Sequence, residues 1–209
     1  MARAESGAIR FHRYDLPGGI DLGPMVAVDT ETTGLNLARD RLCLVQLAGG
    51  TGDVHLVHFP SAEYDAPNLK RLLADETRTK LFHFARFDLA VLETALGVST
   101  RPVYCTKVAS KLVRTYSDRH GLKDLCQDLL SVELSKEQQS SDWGAADLSD
   151  KQKAYAASDV RYLHRLKDKL DAMLAREGRM ELAEACFAFL PMRAKLDLAG
   201  WAEADIFAH

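Results

Sequence analysis

The sequence predicts an α/β fold, a mixed β-sheet flanked by helices, in a single domain spanning 1–209. Three observations carry that expectation: short β-rich runs come first, helical periodicity fills the second half, and a β-α unit joins them. Size agrees, because 209 residues of which 47% are hydrophobic can bury one sizeable core and leave little room for a second.

The runs MVAVDTE at 25–31, RLCLVQLA at 41–48 and DVHLVHF at 53–59 are rich in β-formers and separated by Gly, Asp and Thr clusters. They predict three consecutive strands in an antiparallel meander. NLKRLLAD at 68–75 fits a helix, KLFHF at 80–84 a compact strand, and FDLAVLETAL a helix ending at Gly97. After PVYC at 102–105 the chain reads as helical almost to its end. The pattern passes through TKVASKLVRTY, GLKDLCQDLL, the uninterrupted stretch LSDKQKAYAASDVRYLHRLKDKLDAML and finally MELAEACFAFL. The loop SKEQQSSDWGAAD at 135–147 is the most polar long connection and the one expected to move.

Composition removes several function classes. A formal net charge of -3 excludes a polycation that coats nucleic acid by bulk electrostatics, so any nucleic-acid site must be local. Cys43, Cys105, Cys126 and Cys186 lie far apart with no C-x-x-C pair, which argues against a zinc cage and a secreted disulfide framework. No apolar signal core or membrane-length apolar run is present, so the expected location is the cytoplasm, with no membrane partner.

Chemistry first shows at Asp29 and Glu31, set in an apolar segment that reads as a central strand. Spacing i, i+2 puts both on one face, where two carboxylates repel and lose hydration unless a divalent cation lies between them. A strand-end pair facing water is the ordinary alternative. Asp159 falls on the apolar stripe formed by Tyr155, Tyr162, Leu163, Leu166, Leu170 and Met173, one turn after Tyr155. Asp88 has Phe84, Val91 and Leu92 as its neighbours one turn away, although an acid at a helix N-terminus would read the same. Each acid alone has an ordinary structural explanation; four inward-facing acids in one small domain are explained together by a shared cation. A carboxylate-only set points to hard ions, Mg²⁺ or Mn²⁺, and two of them about 3.5–4 Å apart suit phosphodiester hydrolysis, with Tyr155 orienting the attacking water.

Asp29-x-Glu31, Phe87-Asp88 and Tyr155-x-x-x-Asp159 resemble the three motifs of DEDD exonucleases, and the tyrosine marks the DEDDy branch. Where the histidine branch carries its histidine, this chain has Ala154. The segment LSKEQQSSDWGAADLSDKQKAYAASDVRYLHRL resembles ribonuclease D. DRLC, HF-RFDLA, CTK-ASKL-RTY-DRHGLK, KEQQSSDW and FLPMRA are similar to the short ribonuclease D relatives called nanoRNase C, over nearly the whole chain. The resemblance implies a ribonuclease-H-like fold, two divalent cations on Asp29, Glu31, Asp88 and Asp159, and hydrolysis of very short RNA. It further implies a preference for 5′-phosphorylated dinucleotides and a homo-oligomer, an octamer. The chain ends before the helical RNA-binding extension of full ribonuclease D, which predicts a weak hold on long RNA.

Candidate substrate contacts surround these acids. Thr30, Thr33, Gly34 and Leu35 follow the pair, with Gly34 allowing close backbone approach and Leu35 placed to wedge against a base. His83 and Phe84 precede Asp88, and Phe84 could stack on a base. Six Lys or Arg lie between Arg101 and Lys123 against one acid, Asp118; Lys107, Lys111 and Arg114 share a helical face suited to phosphate, or to solvent. Ser140, Ser141 and Trp143 either face the site or anchor their loop. The apolar segment 180–209 is expected in subunit contacts or folded back on its own domain. His12, His55, His58, His120 and His164 show no metal-ligand spacing. Three functions compete: a dinucleotide exonuclease, the same chemistry on longer RNA or DNA, and an inactive nucleic-acid-binding module.

Overall fold

A computed structural model of the protein describes residues 7–50, 52–135, 137–138 and 140–209. Lys136 and Gln139 of the KEQQSSDW motif lie outside the described residues. The sheet is mixed and six-stranded, in the order β1-β4-β3-β2-β5-β6. The expected meander is present as β2 (Met25–Thr32), β3 (Leu42–Ala48) and β4 (Val54–His58), each antiparallel to the next. β5 (Thr79–Phe82) and β6 (Val103–Cys105) extend the sheet in parallel on the far side of β2. Both faces are covered, so β3 is buried at every residue.

β1 (Ile9–Arg13) was not expected. Its residues, IRFHR, interleave apolar with basic side chains, and its partner is β4, more than forty residues away. Parallel pairing at a sheet edge leaves no local turn signal to announce such a strand.

Helices α1 (Pro67–Ala74) and α2 (Ala85–Leu96) stand where the sequence places them, and α2 ends at Gly97 with φ 67°. α3 (Thr106–Val113) follows β6 directly. α4 (Leu122–Leu125) runs into a π-helical turn, Cys126–Leu130. The long helix expected over 148–174 is instead two, α5 (Asp150–Arg161) and α6 (Leu163–Arg176), broken at Tyr162 with φ −104° and ψ −2°. The break lets α5 cover β2, β3 and β4 while α6 turns to pack on α3. α7 (Met180–Leu196) runs on through Pro191, because Leu190 and Ala194 are buried on both sides of the proline. Among the described residues no helix is long and apolar enough to cross a membrane, and all four cysteines are free.

Candidate active site

Strand alternation decides the first part of the site. Asp29 and Glu31 project from one face of β2, while Thr30 between them projects from the other, is buried, and donates its hydroxyl to Asp88 Oδ1 at 2.7 Å. Asp88, only 4% exposed, comes from the first turn of α2. α5 begins with a capping box: the Ser149 hydroxyl accepts from Gln152 N–H at 3.3 Å, and Gln152 Oε1 accepts from Ser149 N–H at 2.9 Å. That start fixes the helical phase which brings Asp159 down on the acid pair. Carboxylate oxygens of Asp29, Glu31 and Asp159 then lie within 4.8 Å of one another.

Burial pushes the pKa of all four acids upward. After burial, Asp29 is the largest charge acting on Glu31, Asp88 and Asp159. Asp88 lies outside the 4.8 Å group but belongs to the same electrostatic cluster, held in place by Thr30. Such a set is costly when empty of positive charge and fits hard divalent cations. No histidine joins it among the described residues.

Asp29, Glu31 and Asp159, but not Asp88, line a cleft of about 310 Å³ together with His83, Phe84, Lys107, Lys123, Leu134 and Tyr155. Phe84 precedes α2 with φ 71°, a left-handed conformation that costs a non-glycine residue about 1–2 kcal/mol, and the residue stays 45% exposed. Lys107 Nζ sits 4.1 Å over the Phe84 ring. The Thr106 hydroxyl donates to Phe82 C=O at 3.1 Å and therefore accepts from His83 Nδ1–H at 2.9 Å, which leaves His83 Nε2 as an acceptor. Burial and then Lys107 hold His83 down to about 3, so it is uncharged at neutral pH.

Other candidates are placed differently. Arg114 is fully buried, pairs with Asp128 and donates to Arg119 C=O at 2.6 Å, so the expected basic face divides: Lys107 reaches the cleft and Arg114 is internal. Lys111 is exposed and outside the cleft lining. Trp143 is 2% exposed and anchors its loop, its ring 6.0 Å from that of Tyr155. Ser141 donates to Gln138 Oε1 at 2.8 Å. The loop expected to move is stitched down beyond Trp143, by Arg41 to Gly144 C=O at 3.2 Å and by Arg13 to Asp147. Thr33 accepts from Arg41 N–H at 3.0 Å, and a Cβ on Gly34 would run into the Asp40 carboxylate. Leu35, 83% exposed, stands beyond the cleft lining. Two residues lie outside the sequence candidates: Lys123 closes the same basic run and lines the cleft, and Gln46 is a visible anomaly as a glutamine inside LCLVQLA.

A mixed sheet with paired acids on its central strand, faced by a helix bearing Tyr155 and Asp159, defines the ribonuclease-H-like architecture of DEDD exonucleases. The chain belongs to the 3′-5′ exonuclease family, whose profile matches residues 20–175. It is similar to NrnC of Brucella melitensis bound to pGG, at 58% identity and a TM-score of 0.94, covering 98% of this chain and 100% of that one. It is also similar to the same protein with bound Mg²⁺, at 57% identity, a TM-score of 0.92, and coverage of 96% and 98%. Ribonuclease D of Acidiphilium cryptum is 36% identical over 158 residues, 76% of this chain and 40% of that protein. The chain thus spans less than half the length of the curated ribonuclease D relatives it matches. A divalent metal requirement follows from the family, the Mg²⁺-bound relative and the acid cluster together.

Proposed function

We propose that the protein is a two-metal-ion 3′-5′ exoribonuclease that hydrolyses very short RNAs, above all 5′-phosphorylated dinucleotides, to nucleoside 5′-monophosphates. The observation that carries this reading is the convergence of Asp29, Glu31 and Asp159 in a small cleft with a basic wall. The cleft of about 310 Å³ falls within the range of ligand-sized sites. A relative whose whole length this chain matches is bound to pGG. Cytoplasmic location and an octameric assembly belong to the same proposal.

Asp29, Glu31, Asp88 and Asp159 would hold the cations, which when bound supply Lewis acidity and neutralise the scissile phosphate. Lys107 and Lys123 offer charge to the substrate's phosphates, Phe84 offers a ring face to a base, and neutral His83 offers an acceptor to a sugar hydroxyl. Burial, then Asp159, Glu31 and Asp29, push the Tyr155 phenol up, so it keeps its proton at neutral pH and can orient water. Tyr155→Phe is expected to lower kcat about 100-fold, with KM and metal affinity unchanged. An unchanged kcat would make Tyr155 purely structural.

The deciding experiment is hydrolysis of 5′-labelled RNAs of two to seven nucleotides, and matched DNAs, with Mg²⁺, Mn²⁺ or EDTA. Metal-dependent loss of the dimer with longer chains nearly untouched is expected. Even shortening of every length would replace the dinucleotide reading by a general exonuclease, and no cleavage would leave a binding module.

A further inference from the structure

Gln46 sits in the middle of β3, among Leu, Cys, Val and Ala, and its side chain is fully buried. A buried primary amide is unfavourable unless its polar atoms are used. Strand register places Gln46 directly across from Asp29, and its Nε2 donates to Asp29 Oδ2 at 3.0 Å. Its Oε1 has no hydrogen-bond partner among the described residues, so the bond to Asp29 is the one polar contact that explains an amide here. Thr30 holds Asp88 in the same manner from the opposite face of β2.

We infer that Gln46 is a positioning residue for the metal centre: it pins the Asp29 carboxylate through one oxygen and leaves the other for the cation. This rests on the reading of Asp29, Glu31 and Asp159 as a cation site. The residue type follows from charge. A carboxylate at 46 would add negative charge to an already repulsive cluster, whereas an ammonium would neutralise Asp29 and compete with the cation. An apolar side chain would leave Asp29 free to turn. A neutral donor alone orients the ligand without altering the charge that attracts the metal.

The test is calorimetric titration of EDTA-stripped protein with Mn²⁺, together with metal-free melting curves. Gln46→Met, nearly equal in volume but without a donor, is expected to bind Mn²⁺ about 10–100-fold more weakly. Gln46→Asn, which withdraws the amide by one methylene, is expected to show the same loss and serves if the first variant does not fold. Gln46→Lys is expected to lose Mn²⁺ binding yet melt higher than wild type when metal-free at pH 8, a gain that a packing role would not produce. Wild-type Mn²⁺ affinity in the Met and Asn variants would overturn the inference while leaving the cation site standing. Absence of Mn²⁺ binding by the wild-type protein would overturn both.

Discussion

Asp159→Asn is expected to abolish turnover, by at least about a thousand-fold, and to raise the melting temperature of the metal-free protein. On the proposed two-metal reading, removing one carboxylate would remove transition-state charge stabilisation, for which about 10²–10³ per group is typical, and would weaken the cation's own binding as well. The stability gain comes from the same residue, because burial and Asp29 push the Asp159 carboxyl up and its ionised form opposes folding. For acids raised in the folded state, stability is fully present below the unfolded pKa and is lost as pH rises through the folded values. Metal-free wild-type protein should therefore melt lower at pH 8 than at pH 5, and Mg²⁺ should restore it. A difference of about 1–3 kcal/mol corresponds to roughly 3–10 °C in a chain of this size. Melting curves at the two pH values, with and without EDTA, measure it. A metal-free protein equally stable at both would mean that the acids are hydrated and do not form a repulsive cluster.

The second large effect lies outside the site. Lys80 is fully buried, yet among the described residues its ammonium forms no ion pair: it donates to the carbonyls of Asp75 and Arg78 at 2.7 Å and of Arg101 at 2.5 Å, with the Asp75 and Glu76 carboxylates acting on it from farther off. One cation therefore closes the turn before β5 onto the segment that enters β6. Lys80→Met keeps most of the side chain's volume but strands three carbonyls, and is expected to cost about 2–4 kcal/mol. Urea unfolding monitored by circular dichroism gives the number. Turnover of the folded variant at low temperature should stay within about three-fold of wild type, because the ammonium touches no group in the cleft. A loss below about 1 kcal/mol would show that water replaces the ammonium.

The two substitutions separate what the chain reveals locally from what it reveals only when folded. Asp159 was legible as chemistry because Tyr155 stands one helical turn before it, a spacing visible within five residues of α5, although the break at Tyr162 puts most of the predicted apolar stripe on α6. Lys80 was not, because nothing within KLFHF says that three carbonyls, one of them twenty-one residues away, will surround its head group. The same division runs through the site. Asp29 and Glu31 share a face by alternation alone, and the meander from β2 to β4 follows from three adjacent runs joined by connections of nine and five residues. Gln46 stood in the sequence as an isolated polar residue in an apolar strand, but only the register of β3 on β2 gives it Asp29 as a partner.

Periodicity of 2.0 and 3.6 residues, the spacing of Tyr155 and Asp159, and the end of α2 at Gly97 are short-range properties, and the sequence by itself determined them. Tertiary structure alone decided which cations face the cleft, Lys107 and Lys123 but not Arg114, because docking of α3 and α4 turns one basic run partly inward. It also decided the edge strand β1, the break at Tyr162 and the left-handed Phe84. Each depends on contacts between distant segments whose packing outweighs the local preference of a few residues.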